Sequence, residues 1–433
     1  MELIPSASLF LFLFLFWRLS VKDARKALYA IIFLTPSYLV RFSVLGIPAT
    51  LLEIMTYVLF FSLIMEKKNS RSSLEKAWKS FYAERLLFFG SILLFLGVAA
   101  SVCVSVNIRT SLGVLKGWFV DPFVFFLIFS ALIKTRRQIS YSVLSFILSG
   151  LAVGIIGLLY AAGSMFTFDG RLSAFYESPN YLAMYLAPGL LFAVYFLIFK
   201  REELREISKG RLEAMVCGKM ICAFILAVFA AVILLTRSYG AVLGIAFACA
   251  FYLLKKYAGA DNRKSLFSGK YGKSYLIIVV FFLLMFSLAT YQKYEQIVNS
   301  NERSSFHSRI MIWNASVEML KDSPIFGIGP GTFQKVYLDY QSRFAVPYLE
   351  WAVAEPHNTW LAFYLQSGII GFAGFVILLF WLYEKSRHND LVLIFLGYFL
   401  IHGLVDTLYW KNDLAFIFWM MVAIGFLSRN KQI

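Results

Sequence analysis

The chain of 433 residues holds only four cysteines and four histidines. The cysteines (Cys103, Cys217, Cys222 and Cys249) lie in or beside apolar segments and form no Cys-x-x-Cys pair. That argues against a disulfide framework or a cysteine metal site and leaves small core residues. Charge is scarce as well, with 15% of residues charged and only 25 acidic against 41 basic. At 60% hydrophobic and a mean hydropathy of +0.71, the chain has too little polar surface for a water-soluble fold of this length. The stretch "MELIPSASLFLFLFLFWRLSVK" lacks a basic leader before its apolar run, so it reads as a retained first helix rather than a removed signal. The turn "GIGPGT", Gly327–Thr332, has neither the Lys-Ser/Thr pair nor the preceding strand of a phosphate loop. It reads as a structural turn.

What is present is a succession of apolar stretches of membrane-spanning length, at about 5–17, 27–45, 48–65, 86–106, 117–133, 139–162, 180–199, 220–236, 239–254, 275–290, 359–383, 391–409 and 413–428. The pattern predicts an all-α polytopic integral membrane protein with 12 spans, or 13 if the short first segment crosses. Alternate loops (18–26, 66–85, 134–137, 200–219, 255–273 and 384–390, with the tail 429–431) hold 29 of the 41 basic residues. The positive-inside rule puts those on the cytoplasmic side. The net charge of +16 is thereby explained by topology and contact with membrane lipids, and nucleic acid is not an expected partner.

The long loop 291–358 then lies outside the cytoplasm. Its aromatics (Trp313, Phe326, Phe333, Tyr337, Tyr340 and Trp351) suit a folded segment rather than a linker. Within it, "SRIMIWNASVEML" places Ile310, Trp313, Val317 and Leu320 on one helical face, and "KDSPIFGIGPGTF" ends that helix with proline and glycine. An amphipathic helix on the outer membrane face is expected. The chain divides into N-terminal spans 1–160, central spans 161–290 with an arginine hairpin, the loop 291–358, and C-terminal spans 359–433.

On that outer side gather Arg237, Arg303, His307, Arg309 and His357, with Arg171 in the loop before "SPN". An arginine at the membrane boundary is costly unless paired, and snorkelling or a bridge to Asp169, Glu302 or Glu355 is the plain reading for any one of them. Arg237 is different, because "ILLTRSYGAVLG" offers it no acidic neighbour. Several guanidiniums on one face suit a phosphate or pyrophosphate, which they bind bidentately. For His357, in "AEPHNTWL", three readings stand: a helix cap, a metal ligand, or a base. Partners at ligand spacing are lacking, so no metal is expected. The helix that follows favours a neutral imidazole, while Glu355 pulls the other way. His402 and Asp406, one helical turn apart in a late span, share a face and read as an internal hydrogen-bonded pair.

Four segments in this order resemble the O-antigen ligase and polymerase superfamily of membrane glycosyltransferases: "FYESPNYLAMYL" (175–186), "LLTRSYGAVLG" (234–244), "SRIMIWNASVEMLKDSPIFGIGPGTF" (308–333) and "PHNTWLAFYLQSGIIG" (356–371). They cover roughly residues 170–380, and the first 160 residues match only as a hydropathy pattern. The resemblance implies a GT-C-like, inverting, metal-independent enzyme of the bacterial inner membrane with its active site facing the periplasm and no cofactor. Its donor would be a glycan on undecaprenyl pyrophosphate and its acceptor a sugar hydroxyl, in ligases that of lipid A–core. His357 would be the general base, with Arg237 and Arg309 on the pyrophosphate and Arg303 as a further contact. Arg171, Asn180 and Asn358 would border the substrate. The compact size and single large loop favour ligation over polymerisation of repeat units. Transfer to protein is disfavoured because no soluble domain follows the last span. A lipid-linked glycan transporter would need polar residues at mid-membrane depth and broken helices in both halves.

Overall fold

The computed structural model describes residues 6–44, 47–65, 68–196, 219–258, 305–341, 343 and 353–428. They form an all-α membrane protein with one small hairpin. Four helices are long and apolar enough to cross a bilayer: Arg85–Cys103 (α5), Ile108–Leu132 (α6 to Val114, a π-turn Leu115–Val120, then α7), Arg136–Ala162 (α8) and Thr359–Lys385 (α14). Shorter apolar helices pack among them: Leu51–Met65 (α3), Pro179–Val194 (α9), Lys219–Leu235 (α10), Tyr239–Ala258 (α11), Asp390–His402 (α15) and Asn412–Leu427 (α16). The expected span 275–290 lies outside the described residues.

Helices α9 and α16 are apolar all round and buried on every side, and so form the centre of the bundle. Around them, α5 and α14 cross at the closest approach their backbones permit. A Cβ on Gly97 would lie 2.1 Å from the Gly371 nitrogen, and one on Gly374 would lie 2.3 Å from the Leu94 nitrogen. Small residues substitute here for a hydrophobic driving force that lipid does not supply.

Two expected spans are shorter than their hydropathy. The segment 27–45 gives only the ten-residue helix Ala24–Phe33 (α2). Pro36 follows in a 3-10 turn, where it cannot continue an α-helical ladder. The chain then enters an antiparallel hairpin, Arg41–Val44 (β1) with Ile47–Thr50 (β2). The segment 391–409 stops being helical at His402, and residues 403–411 form a loop, buried from Asp406 onward, that closes over the start of α14.

The helix α14 is itself broken. Gly368 has φ +64°, which frees backbone groups on either side. They are taken up by the glycine turn of the long loop: Ile328 N–H donates to Leu365 O at 2.7 Å and Ile369 N–H donates to Ile325 O at 3.0 Å. Gln366 Oε1 accepts Gly331 N–H at 2.7 Å, and Ser111 Oγ donates to Pro330 O at 2.7 Å. "GIGPGT" is thus a structural plug, with irregular backbone tolerated because it is buried in protein.

The expected amphipathic helix exists as Ser305–Asp322 (α12), ending where Pro324 and Gly327 follow. Its buried stripe is Ser308, Ile312, Ala315, Ser316 and Met319, while Ile310 and Val317 are exposed. The stripe is shifted because small residues let α12 lie close on a satellite core made with Phe333, Tyr337 and Leu365.

Candidate functional site

The site is built where loop 403–411, the start of α14, the first turns of α12 and the turn between α10 and α11 meet. Asn358 starts α14 as its N-cap, its Oδ1 accepting Trp360 N–H at 2.9 Å and Leu361 N–H at 3.0 Å. The capping role therefore falls to Asn358, and His357 is released from it. Asn358 Nδ2 donates to Leu404 O at 2.9 Å, Thr359 N–H to Gly403 O at 2.8 Å, and Thr359 Oγ1 to Asp406 O at 2.9 Å. These bonds stitch the His-Asn-Thr segment to loop 403–408.

The stitching brings His357 Nδ1 to 3.0 Å from Asp406 Oδ1. Burial alone would raise the Asp406 carboxyl. The hydrogen bond from His357 and the neighbouring His357, His402 and Arg309 outweigh it and hold the group at about 2. An ionised carboxylate can only accept, so Nδ1 is the donor, and in the neutral tautomer that this bond selects, the lone pair is on Nε2. The ring is one-third exposed, and among the described residues Nε2 has no hydrogen-bond partner. His357 also has φ +47°, a conformation costly for a side-chain-bearing residue. Trp313 Nε1 donates to Pro356 O at 3.1 Å and fixes the residue before it.

One turn before Trp313 on α12, Arg309 reaches the same loop. Its Nε donates to Val405 O at 2.9 Å and its Nη2 lies 3.9 Å from Asp406 Oδ2. Arg171 belongs to the same cluster. Burial lowers its pKa, Asp169 and Asp406 push it back up, and Arg309 pulls it down again. Its Nε donates to Thr236 O at 2.8 Å and its Nη2 to Asn180 Oδ1 at 2.5 Å. With Leu172 N–H on Leu235 O at 3.0 Å, these contacts hold the turn that presents Arg237 at φ +49°. Among the described residues, Arg237 has no carboxylate and no side-chain hydrogen bond. Several other cations expected on this side are paired: Arg41 and Lys411 with Glu177, and Lys116 with Glu53 at 2.5 Å. Arg171, Arg237 and Arg309 are the only half-buried arginines among the described residues. Set against Asp169 and Asp406, they leave the cluster with an excess positive charge, which suits an anion.

Two features of the site escaped the sequence. Asp406 was legible only as a neighbour of His402 along a helix. It is displaced into the loop, so its contact with His402 is long, at 3.9 Å, while His402 Nδ1 instead meets Tyr398 OH at 2.8 Å. Glu355 turns away from His357 and accepts Gln366 Nε2 at 2.6 Å. Its burial raises the carboxyl to about 8 despite that bond and Lys411. Arg303 lies outside the described residues, and His307 is placed only by its backbone, on the first turn of α12.

Residues 222–376 match the protein-family model described as O-antigen ligase. The match spans about a third of the chain and includes Arg237, Arg309, His357 and Asn358, whereas Arg171, Asn180 and Asp406 lie outside it. No curated protein matches the chain. Residues 222–376 are thus similar to the O-antigen ligase family model, within a chain whose described residues form an all-α membrane protein.

Proposed function

We propose that this protein transfers a glycan from undecaprenyl pyrophosphate to a sugar hydroxyl of lipid A–core, at the periplasmic face of the bacterial inner membrane. The observation that carries the reading is the His357–Asp406 pair at 3.0 Å, with Nε2 unengaged, Arg309 on the same carboxylate, and Arg171 coupled to both Asp406 and Arg309. The family match over residues 222–376 supports glycan transfer of the ligase and polymerase kind. The basic-loop pattern favours an orientation with loop 291–358 and the site on the outer side.

In this reading Nε2 of His357 takes the proton of the acceptor hydroxyl as its oxygen attacks the anomeric carbon of the donor. The bond from that carbon to the phosphate oxygen breaks with inversion, and undecaprenyl pyrophosphate leaves with the electron pair. Arg237 and Arg309 stabilise the charge growing on the leaving oxygen, which makes a separate acid catalyst unnecessary. Asp406 stabilises the imidazolium and fixes its tautomer. Arg171 and Asn180 hold the Arg237 turn, and Asn358 holds the base's loop. The multi-span bundle would be GT-C-like, with 12 spans and the loop 291–358 as its outer cap.

Repeat-unit polymerisation uses the same chemistry with a different acceptor. Purified protein supplied with lipid-linked repeat units separates the two. Product that requires lipid A–core supports ligation, and ladders formed without it overturn that assignment. A transporter is disfavoured because the break at Gly368 is filled by residues 325–331, whose backbone satisfies its freed groups.

A further inference from the structure

The candidate base and a candidate donor-binding arginine share one carboxylate. Asp406 Oδ1 receives His357 Nδ1 at 3.0 Å and Thr407 N–H at 3.3 Å. Its Oδ2 lies 3.9 Å from Arg309 Nη2 and 3.9 Å from His402 Nε2. Besides His357, the charged and titratable groups that interact with the Asp406 carboxylate are Arg309 from α12, Arg171 from the loop after α8, His402 and Tyr398 from α15, and Tyr181 from α9. Glu355, on the same segment as His357, is turned towards Gln366.

We propose that Asp406 couples the two substrates, so that His357 becomes an effective base only once the donor pyrophosphate is bound to Arg309. The inference rests on the reading of His357 as base and Arg309 as a pyrophosphate ligand, and adds an order of events to it. When His357 accepts a proton, a positive charge forms one carboxylate away from Arg309. In the free protein Asp406 must serve both cations, and the guanidinium opposes the imidazolium across it. A bound pyrophosphate brings at least two negative charges to Arg309 and removes that opposition. Asp406 is then left to His357 alone. The acceptor hydroxyl is activated only where a glycan is present to receive it.

The sign is fixed by Coulomb's law: adding negative charge beside Arg309 favours the protonated ring. The test is a pair of pH–rate profiles on the full chain in proteoliposomes, with an undecaprenyl-pyrophosphate-linked glycan and its acceptor. The acid limb of kcat/KM for the donor reports the free enzyme, and that of kcat reports the loaded one. The limb in kcat is expected to lie about one pH unit or more above the limb in kcat/KM. Coincident limbs in the native protein overturn the coupling. Arg309→Gln is expected to close the gap in whatever activity remains, and Arg309→Lys to preserve it. A gap that survives Arg309→Gln also overturns the proposal. Undiminished turnover by His357→Ala would instead remove the base assignment beneath it, an outcome distinct from an inactive His357→Ala with coincident limbs.

Discussion

Nδ1 of His357 lies 3.0 Å from Oδ1 of Asp406, across 49 residues of chain that include the whole of α14 and α15. Neither residue is on a helix. Each sits in a loop held by the other's backbone, so the geometry of the pair depends on Asn358 and Thr359 as much as on the two side chains.

Replacing His357 by Ala is expected to lower glycan transfer by about 10²–10⁴-fold, the usual contribution of a general base. Asp406→Asn should also lose about 10²-fold or more, because an amide no longer enforces the tautomer with the lone pair on Nε2. Asp406→Glu should recover part of it. Turnover in proteoliposomes, with monodispersity as the folding control, decides the matter. Near-native rates for Asp406→Asn would show that the pair is only structural.

Arg237→Lys keeps a positive charge but loses the bidentate fork. A drop of about 10²–10³-fold in turnover is expected, as for removal of a preorganised transition-state donor. Arg171→Lys should act indirectly, loosening the Arg237 turn through Thr236 O and Asn180, and is expected to raise KM for the donor more than it lowers kcat. An Arg237→Lys protein with unchanged kinetics would remove that arginine from the site.

The Glu355 carboxyl is raised from 4.5 to about 8 by burial. Between those values the unfolded chain releases a proton that the folded protein keeps, so stability falls as pH climbs through this window. Asp406 acts with the opposite sign: its contribution is present above 3.8 and is lost as pH falls towards about 2. Thermal unfolding in detergent across pH 4.5–8 should show the decline in the native protein and a flatter profile in Glu355→Gln. Equal slopes in the two proteins would contradict the assignment.

Gly368→Ala should destabilise the protein by about 1–3 kcal/mol, from the strained backbone alone. The added Cβ would also lie 2.2 Å from Ile325 O, so the plug must shift. Unfolding temperature and transfer activity are expected to fall together, since the plug is hydrogen-bonded to α14 and the base lies directly before its first turn. A stable, fully active Gly368→Ala protein would mean that the break is not required.

EDTA is expected to leave turnover unchanged, because arginine charge can stabilise the departing pyrophosphate. Loss of activity that is restored by a divalent cation would require a metal in the mechanism.

The all-α membrane character was legible from hydropathy, and the positions of the arginine hairpin and the His-Asn dipeptide at the ends of apolar helices were legible too. Asp406 was harder to read. Helical periodicity tied it to His402, and nothing local shows that α15 stops there, because the cause is hydrogen bonding to Thr359. The face of α12 was misjudged for a related reason. Hydrophobicity favoured Ile310 and Val317, but close packing selected Ala315 and Ser316. The break at Gly368 was hidden in "YLQSGIIG" because its backbone groups are satisfied by residues about 40 positions earlier.

The plug at Gly368 sets the unit in which this protein can exchange parts with a relative. A chimera cut at the start of α14, near residue 358, would separate Ile328 from Leu365, Gly331 from Gln366 and Ile325 from Ile369. The turn 325–331 and the first turns of α14 form one module whose seam lies beyond Gly368. Grafts that respect this seam should transfer acceptor preference, and those that divide it should misfold.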